Sequence, residues 1–334
     1  MSNRVSAIVG TVVAALVAAT VAACAPDPPA PAAGAPPPTG QPAAAVTPYV
    51  DMSLPDPPLV AMADATGVDD AVLAFGLATD GTCAPSWGGA VALDDPGIAD
   101  QAAALRNRGG RLTVATGGAS GDYLENTCDT ASDLAGAYTR LLDATGATGL
   151  DVDVETDIPN ETVVAALQQV QQQRGVHVSL TLQVADQHQG LEDQGLDLAR
   201  AAAAAGLRFD VDALVMDFPP DGAWAQAMTD AVSAARAQVA TIRPTPGTAV
   251  TIMIGRTDTG PVTTLDDART VARDVAAQGV RDLRFWSLGR DRGSCPGANE
   301  ARPDCSGVAQ QDFAFTETLR DAVRDAPTTG RNGS

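Results

Sequence analysis

The feature that most constrains the fold is a regular alternation of short apolar stretches with longer Ala-rich segments. Eight stretches rich in β-branched residues have the length and composition of buried strands. They cover residues 46–52, 71–78, 111–117, 149–155, 176–184, 213–218, 249–255 and 283–288. Segments with helical spacing follow most of them, at residues 98–108, 131–144, 161–174, 196–205, 224–242, 265–278 and 313–324. Strands that alternate with helices in this way form parallel sheets.

Eight such units in about 280 residues match the size of a (β/α)8 barrel. A doubly wound open sheet is the alternative, but its Gly-rich phosphate-binding turn is missing from the sequence. We therefore predict an α/β protein whose single domain is a (β/α)8 TIM barrel. The segment between the first two strands has little helical signal, so the first crossover is the part that the pattern defines least.

The start of the chain has the pattern of a secretion signal. Arg4 supplies a positive charge, residues 5–23 are apolar, and small residues stand directly before Cys24. This pattern resembles a bacterial lipobox, which implies cleavage before Cys24 and lipidation of that cysteine at the outer face of the cell membrane. An ordinary secretory signal with a chance cysteine is the alternative. Both interpretations place the mature chain outside the cytoplasm, on the membrane surface or secreted.

Four segments follow from these observations. Residues 24–45 are mostly Pro and Ala, a composition that favours extended conformations and cannot form a core. The predicted organisation is a lipoprotein signal peptide at 1–23, a tether at 24–45, the barrel at 46–327 and a polar tail at 328–334.

Four cysteines remain beyond Cys24, an even number that predicts two disulfides in an oxidising compartment. Three pairings are possible. Cys295 and Cys305 lie in one Gly/Pro-rich loop and are expected to close a small ring, which leaves Cys83 to pair with Cys128.

The charge balance excludes some partners. Asp and Glu number 41 against 21 Lys and Arg, giving a net charge of -20, so a phosphate backbone would be repelled and nucleic acid is not an expected partner. The chain has two histidines and no CxxC motif, so we predict no metal and no cofactor. A monomer is expected.

The fourth predicted strand carries three carboxylates at alternate positions, Asp151, Asp153 and Glu155. Residues two apart on a strand project from the same face. If Leu150 and its alternate neighbours face the helices, the three acids face the barrel interior and approach its C-terminal mouth. Close carboxylates in a poorly hydrated space cannot all ionise, so at least one pKa is expected to be raised. Glu155, nearest the mouth, is the expected general acid. A solvent-facing strand or a calcium site is the alternative for an isolated DxDxE pattern.

Residues 148–155 and 115–118 resemble the DxxDxDxE and SxGG motifs of glycoside hydrolase family 18, the chitinase-type barrels. Segments 49–53, 83–89, 253–258, 285–291 and 305–308 also resemble secreted bacterial chitinases, in the same order. The resemblance covers residues 46 to about 325. Thr148 stands where the motif has its first Asp, and Ala115 where the family usually has Ser.

The resemblance implies substrate-assisted retaining hydrolysis of β-1,4-linked N-acetylglucosamine polymers, an exception to the two-carboxylate mechanism. Glu155 would protonate the leaving oxygen. Asp153 would hold the acetamido N–H while the acetamido carbonyl attacks, and Asp151 would share a proton with Asp153. The implied partner is an N-acetylglucosamine-containing polysaccharide. The implied substrate-contacting residues are Trp286, Asp217, Phe218, Met216, Gly117, Gly118 and Gln183.

One departure from the family pattern favours a second hypothesis. Phe218 stands where the family has a tyrosine whose hydroxyl donates to the acetamide oxygen, and loss of one such donor typically costs ~10² to 10³ in rate. The alternative function is therefore a catalytically weak or inactive aminosugar-binding lipoprotein. Restoring the hydroxyl with Phe218→Tyr is predicted to separate the two hypotheses.

Overall fold

The chain builds twelve strands and nine helices within residues 44–326, the part that a computed structural model describes. The strands are β1 (Ala45–Asp51), β2 (Ala71–Thr79), β3 (Thr82–Trp87), β4 (Leu112–Gly117), β5 (Gly149–Val154), β6 (His177–Asp186), β7 (Gly190–Leu191), β8 (Phe209–Val215), β9 (Gly247–Met253), β10 (Gly255–Arg256), β11 (Val262–Thr263) and β12 (Asp282–Trp286). The helices are α1 (Leu59–Thr66), α2 (Pro96–Asn107), α3 (Leu124–Thr127), α4 (Ala131–Thr145), α5 (Asn160–Arg174), α6 (Asp193–Ala204), α7 (Trp224–Val239), α8 (Leu265–Ala277) and α9 (Ala314–Asp325).

Eight of these strands close into a parallel barrel in the order β1, β2, β4, β5, β6, β8, β9 and β12, and β12 pairs back to β1. Helices connect successive barrel strands, and α9 follows the last one. The predicted (β/α)8 TIM barrel is therefore confirmed. The predicted signal peptide, Cys24, residues 24–43 of the tether and the polar tail lie outside the described residues.

The structure adds elements that the periodicity did not predict. Helix α1 fills the first crossover, where the sequence had little helical signal. Strand β3 pairs antiparallel with β2, and two short antiparallel pairs, β6 with β7 and β10 with β11, extend loops beyond the barrel. The sixth barrel strand begins and ends three to four residues earlier than predicted, so Met216 to Phe218 lie after the strand rather than within it.

The two faces of β5 divide as the alternation predicts. Leu150, Val152 and Val154 are buried in the apolar core between strands and helices. The alternate positions face the barrel interior, where Asp151 contacts side chains from β1, β6 and β12 on other sides of the barrel. The core is therefore apolar outside the barrel wall, and the interior beside β5 is polar.

Both predicted disulfides are present. Cys83 of β3 is bonded to Cys128 at the end of α3, and Cys295 is bonded to Cys305 in the loop after β12. The first bond ties the β2–β3 hairpin to the segment that follows β4. Within residues 44–326 no helix is both long enough and apolar enough to cross a membrane.

Candidate active site

The three acids of β5 lie at increasing height inside the barrel. Asp151 is fully buried, Asp153 is 3% exposed, and Glu155, the first residue after the strand, is partly exposed at the mouth. The mouth is the end of the barrel where the parallel strands finish, which is where barrel enzymes place their active sites. The arrangement gives one exposed carboxyl group supported by two buried ones.

Asp151 is held by donors from three other strands. The Tyr49 hydroxyl donates to its Oδ2 at 2.9 Å, and the Thr181 hydroxyl lies 3.0 and 3.1 Å from its two oxygens. The Ser179 hydroxyl also donates to Oδ1. Arg284 Nη1 completes the set at 3.3 Å from Oδ1. These donors, one of them cationic, give the buried Asp151 carboxyl group hydrogen-bond partners at both of its oxygens.

Arg284 connects Asp151 to a second buried acid. Its Nη1 lies 3.2 Å from Asp212 Oδ2, and its Nε donates to Asp282 Oδ2 at 2.8 Å. Thr251 also donates to Asp212 Oδ2 at 2.7 Å. Burial raises the pKa of Asp212 to about 7, although the Arg284 charge opposes this rise. The barrel interior beneath the site is therefore an ionic network centred on one arginine.

Asp153 has a different environment from Asp151. Its Oδ1 is buried and has no hydrogen-bond partner among the described residues. Burial raises its pKa well above the usual range, and the charges of Glu155 and Asp151 raise it further. An aspartate with so little compensation favours its neutral form.

Glu155 has a pKa suited to proton donation. Burial raises the pKa to about 7, the nearby charges of Asp217 and Asp258 add to the rise, and the hydrogen bond from Gln183 opposes it. Gln183 Nε2 lies 3.3 Å from Glu155 Oε2. A carboxyl group with a pKa near 7 is protonated in mildly acidic solution and can still exchange its proton, as a general acid must.

Asp217, just after β8, is close enough to Glu155 for its charge to raise the pKa of Glu155. Its backbone is in the left-handed region, with φ 58°, which is uncommon for a residue other than glycine. Its Oδ1 accepts a hydrogen bond from Asp258 N at 3.1 Å. Burial raises the pKa of Asp217, and the Asp258 charge raises it further. The loop between β10 and β11 thus holds Asp217 in place near Glu155.

Gly117 and Gly118 are required by close packing, Gly117 against β5 and Gly118 against Phe75 of β2. Both have positive φ angles, 85° and 91°. A Cβ atom on Gly117 would stand 1.9 Å from the carbonyl oxygen of Asp153, and one on Gly118 would stand 2.7 Å from the Phe75 ring. Gly118 N donates to Asp153 O at 3.0 Å. The family-like Gly-Gly turn therefore packs closely against the backbone of Asp153 and is hydrogen-bonded to it.

Aromatic rings line one side of the mouth. Trp286, at the end of β12, is partly exposed and stacks on Phe75, with ring centroids 5.5 Å apart and planes at 24°. Tyr49 meets the Trp286 ring edge-on at 6.2 Å. Flat π-faces of this kind pack well against sugar rings. Sequence reasoning selected Trp286 but missed Phe75.

The structure does not bring Phe218 to the mouth. Its side chain is 1% exposed and packs against Trp224 of α7, with ring centroids 5.0 Å apart. Met216 is also buried and packs beside Trp286. Because β8 ends at Val215 and Asp217 has a left-handed backbone, the alternation of the strand does not continue to Phe218.

Sequence reasoning also missed the residues beneath the acids. They are inward-facing polar positions on apolar strands: Tyr49, Ser179, Thr181, Asp212, Thr251 and Arg284. The available signal was a charged residue inside an otherwise apolar strand, at Asp212 and Arg284. A charged residue in an apolar strand indicates that a charge is buried, but it does not indicate which residue neutralises that charge.

A closed (β/α)8 barrel with a DxDxE strand and an aromatic-lined mouth defines the class of chitinase-type glycoside hydrolases. The active domain 2 of the thermostable chitinase from Pyrococcus furiosus, solved with chito-oligosaccharides, has a TM-score of 0.77 and 30% identity to the chain. The match covers 88% of this chain and 98% of that structure. The chain therefore belongs to the family 18 chitinase-type glycoside hydrolases.

Two sequence relatives agree with this membership. The chain is 26% identical over 302 residues to the probable bifunctional chitinase/lysozyme of Escherichia coli K12, covering 81% of this chain and 33% of that protein. It is 26% identical over 274 residues to endochitinase 11 of Metarhizium anisopliae, covering 73% and 52% respectively. The chain thus spans between a third and about half of the length of these relatives. No family model matches the chain.

Proposed function

We propose that the barrel hydrolyses β-1,4-linked N-acetylglucosamine polymers, with Glu155 as the general acid. The observation that carries this proposal is the row of three acids, Asp151, Asp153 and Glu155, that rises toward the mouth. Glu155 is the outermost of the three, and its pKa is raised to about 7. The aromatic pair Phe75 and Trp286 beside it supports a sugar ring as the ligand.

The proposed reaction is substrate-assisted. Glu155 gives its proton to the glycosidic oxygen as the bond to the anomeric carbon breaks, and the acetamido carbonyl oxygen of the same sugar forms a bond to that carbon. The product is an oxazolinium ion. Water then attacks the anomeric carbon, Glu155 takes the proton from water, and the acetamido group is restored with net retention.

Asp153 is proposed to accept a hydrogen bond from the acetamido N–H, and the positive charge of the oxazolinium ion beside it would favour ionised Asp153 during the reaction. Its buried, unpartnered Oδ1 is consistent with a ligand that supplies the missing hydrogen bond. Asp151 accepts hydrogen bonds from Tyr49 and Thr181 and has an ion pair with Arg284. These contacts hold the Asp151 carboxyl group in place beneath Asp153.

The test compares Glu155→Gln with Glu161→Gln, a control that removes an exposed carboxylate from the first turn of α5. We expect the wild type and Glu161→Gln to release products from chitin oligomers, and Glu155→Gln to release none while still binding the oligomer in calorimetry. Equal activity of wild type and Glu155→Gln would refute the proposal. Oligomer binding without turnover by all three proteins would support an aminosugar-binding function instead.

The second part of the proposal is the choice of chitin rather than peptidoglycan as the polymer that is cleaved. The name of the E. coli relative includes both chitinase and lysozyme, so purified peptidoglycan belongs in the same assay as chitin oligomers. Both polymers carry the acetamido group that the proposed mechanism needs, and peptidoglycan adds a lactyl-peptide substituent on alternate sugars. We expect faster release from chitin oligomers, because that substituent has to be accommodated at the mouth and takes no part in the mechanism. Release from peptidoglycan alone would overturn this choice of polymer.

We also propose that the enzyme works outside the cytoplasm from a lipid anchor on Cys24. The two disulfides in the described part support an oxidising compartment, where such bonds persist. Metabolic labelling with a radioactive fatty acid tests the anchor, and Cys24→Ser is expected to lose the label. Labelling of Cys24→Ser at the wild-type level would contradict it.

A further inference from the structure

A short segment behind the catalytic strand contacts the backbone on both sides of Glu155. This segment, Tyr123 to Cys128, contains helix α3 and lies between the Gly-Gly turn and α4. The Tyr123 hydroxyl accepts a hydrogen bond from Glu155 N at 3.1 Å, and Asn126 Nδ2 donates to Asp157 O at 3.0 Å. We call it the clamp segment.

The Tyr123 hydroxyl joins two strands at the level of the general acid. It donates to Gly118 O at 2.6 Å, the shorter of its two carbonyl contacts, and Asp153 O lies at 3.2 Å. The side chain is 4% exposed, and burial raises its pKa, so the phenol keeps its proton. One buried hydroxyl therefore binds both the turn after β4 and the residue after β5.

The position of this bond matters because β5 ends at Val154. In a parallel sheet the neighbouring strands hold each backbone N–H through the ladder, and the N–H of the next residue needs another acceptor. For Glu155 that acceptor is a side chain, the Tyr123 hydroxyl. The backbone that carries the general acid is thus fixed by a group from a different part of the chain.

The clamp segment is itself firmly attached. Thr127 Oγ1 donates to Tyr123 O at 2.7 Å, which connects the last residue of the short helix to the residue that precedes it. Cys128 at its end is bonded to Cys83 of the neighbouring hairpin. The Tyr123 ring lies close to Gly117, where an added Cβ would stand 3.3 Å from its Cε2. The hydroxyl therefore has a fixed position against which Glu155 can be held.

We propose that Tyr123 and Asn126 are positioning residues that hold the Glu155 backbone so that its carboxyl group meets the glycosidic oxygen. The catalytic part of this inference rests on the proposed function. A displacement of about 1 Å of a reacting group can cost on the order of 10²-fold in rate. Loss of either hydrogen bond, the one between Tyr123 and Glu155 N or the one between Asn126 and Asp157 O, is therefore expected to reduce kcat more than it reduces substrate affinity.

The test is Tyr123→Phe, with Thr66→Val as the matched control. Thr66 of α1 is also a buried residue whose hydroxyl donates to a backbone carbonyl, Met62 O at 2.8 Å, and accepts from a backbone N–H, that of Val68 at 3.1 Å, and this hydroxyl makes no hydrogen bond to β5 or to the clamp segment. We expect Tyr123→Phe to lower kcat about 10- to 100-fold with KM almost unchanged, and Thr66→Val to keep the wild-type kcat. Wild-type kcat in Tyr123→Phe, or an equal loss in both variants, would overturn the proposal.

A second readout does not depend on activity. Amide hydrogen exchange, measured by mass spectrometry on peptides that cover residues 152–158, reports directly on the Glu155 N–H. We expect faster exchange in Tyr123→Phe than in wild type or Thr66→Val, and unchanged exchange would refute the clamp. If the wild type hydrolyses nothing, the proposed function fails, while this exchange experiment still decides whether the clamp exists.

Asn126→Ala keeps the proposal testable if Tyr123→Phe does not fold. Asn126 is exposed, so its truncation leaves the core intact, and it removes only the bond to Asp157 O. We expect a smaller fall in kcat than for Tyr123→Phe, with KM again unchanged. A rise in KM with constant kcat would assign Asn126 to substrate binding and contradict the positioning role.

Discussion

The charge of Asp217 should set the alkaline limit of activity through the pKa of Glu155. Burial is the largest cause of the raised pKa of Glu155, and the Asp217 carboxylate is the largest charge that adds to it. Asp217→Asn removes that negative charge and leaves a side chain of similar shape. Because ionised Glu155 is then repelled less, its pKa should fall.

The size of the effect follows from the structure. Glu155 has a pKa of about 7, against 4.5 for an ordinary glutamate. A general acid with this pKa is about nine-tenths protonated at pH 6 and about one-tenth protonated at pH 8. Removing one neighbouring like charge typically changes a pKa by about one unit. The alkaline half-point of kcat/KM should therefore move from near pH 7 to near pH 6.

The assay is kcat/KM for an unactivated N-acetylglucosamine oligomer between pH 4 and pH 9, with products separated by chromatography. The position of the alkaline limb is the readout, because Asp217→Asn can also change the height of the profile through substrate contacts. Asp221→Asn is the control, since Asp221 is an exposed aspartate in the same loop. An alkaline limb that stays in place in Asp217→Asn would refute the effect of the Asp217 charge on Glu155, and a wild-type rate that still climbs above pH 8 would refute the assignment of Glu155 as proton donor.

Two further variants test the packing around the site. Phe218→Tyr is expected to give no gain in kcat, and to lower the free energy of unfolding in urea by about 1–3 kcal/mol, because its hydroxyl would enter the apolar contact with Trp224. A large gain in activity would instead support the inactive-enzyme hypothesis. Gly117→Ala is expected to destabilise the protein by about 2–4 kcal/mol and to abolish activity, because its Cβ would stand 1.9 Å from Asp153 O. A wild-type melting temperature for Gly117→Ala would contradict the close packing.

Much of the fold was predictable because its signals are local. Strand and helix periodicities repeat along the chain, and parallel strands with helical crossovers close into a barrel at eight units. The disulfide pairing was also predictable, since one loop holds Cys295 and Cys305 and leaves the other two cysteines for each other. Helix α1 and the antiparallel β3 were not predicted, because short elements depend on tertiary contacts more than on their own periodicity.

The candidate site was likewise predictable from the sequence only in part. The period of two along β5 predicts that Asp151, Asp153 and Glu155 share one face, whatever lies around them. The partners of that face come from distant strands: Arg284 is 133 residues from Asp151, and Tyr49 is 102 residues from it. No local pattern can pair residues that far apart, so only barrel closure decided which side chains neutralise the buried acids.

The sequence by itself determined the barrel, its acidic strand and the order of the three acids from interior to mouth. The tertiary structure decided where the alternation of inward-facing and outward-facing side chains stops. β8 ends at Val215, Asp217 has a left-handed backbone, and Phe218 therefore packs into the core instead of facing a ligand. It also decided that the Glu155 N–H is bound by the Tyr123 hydroxyl. The physical reason is that strand geometry fixes side-chain direction only within the strand, whereas beyond its last residue packing and hydrogen bonds from other segments set the direction.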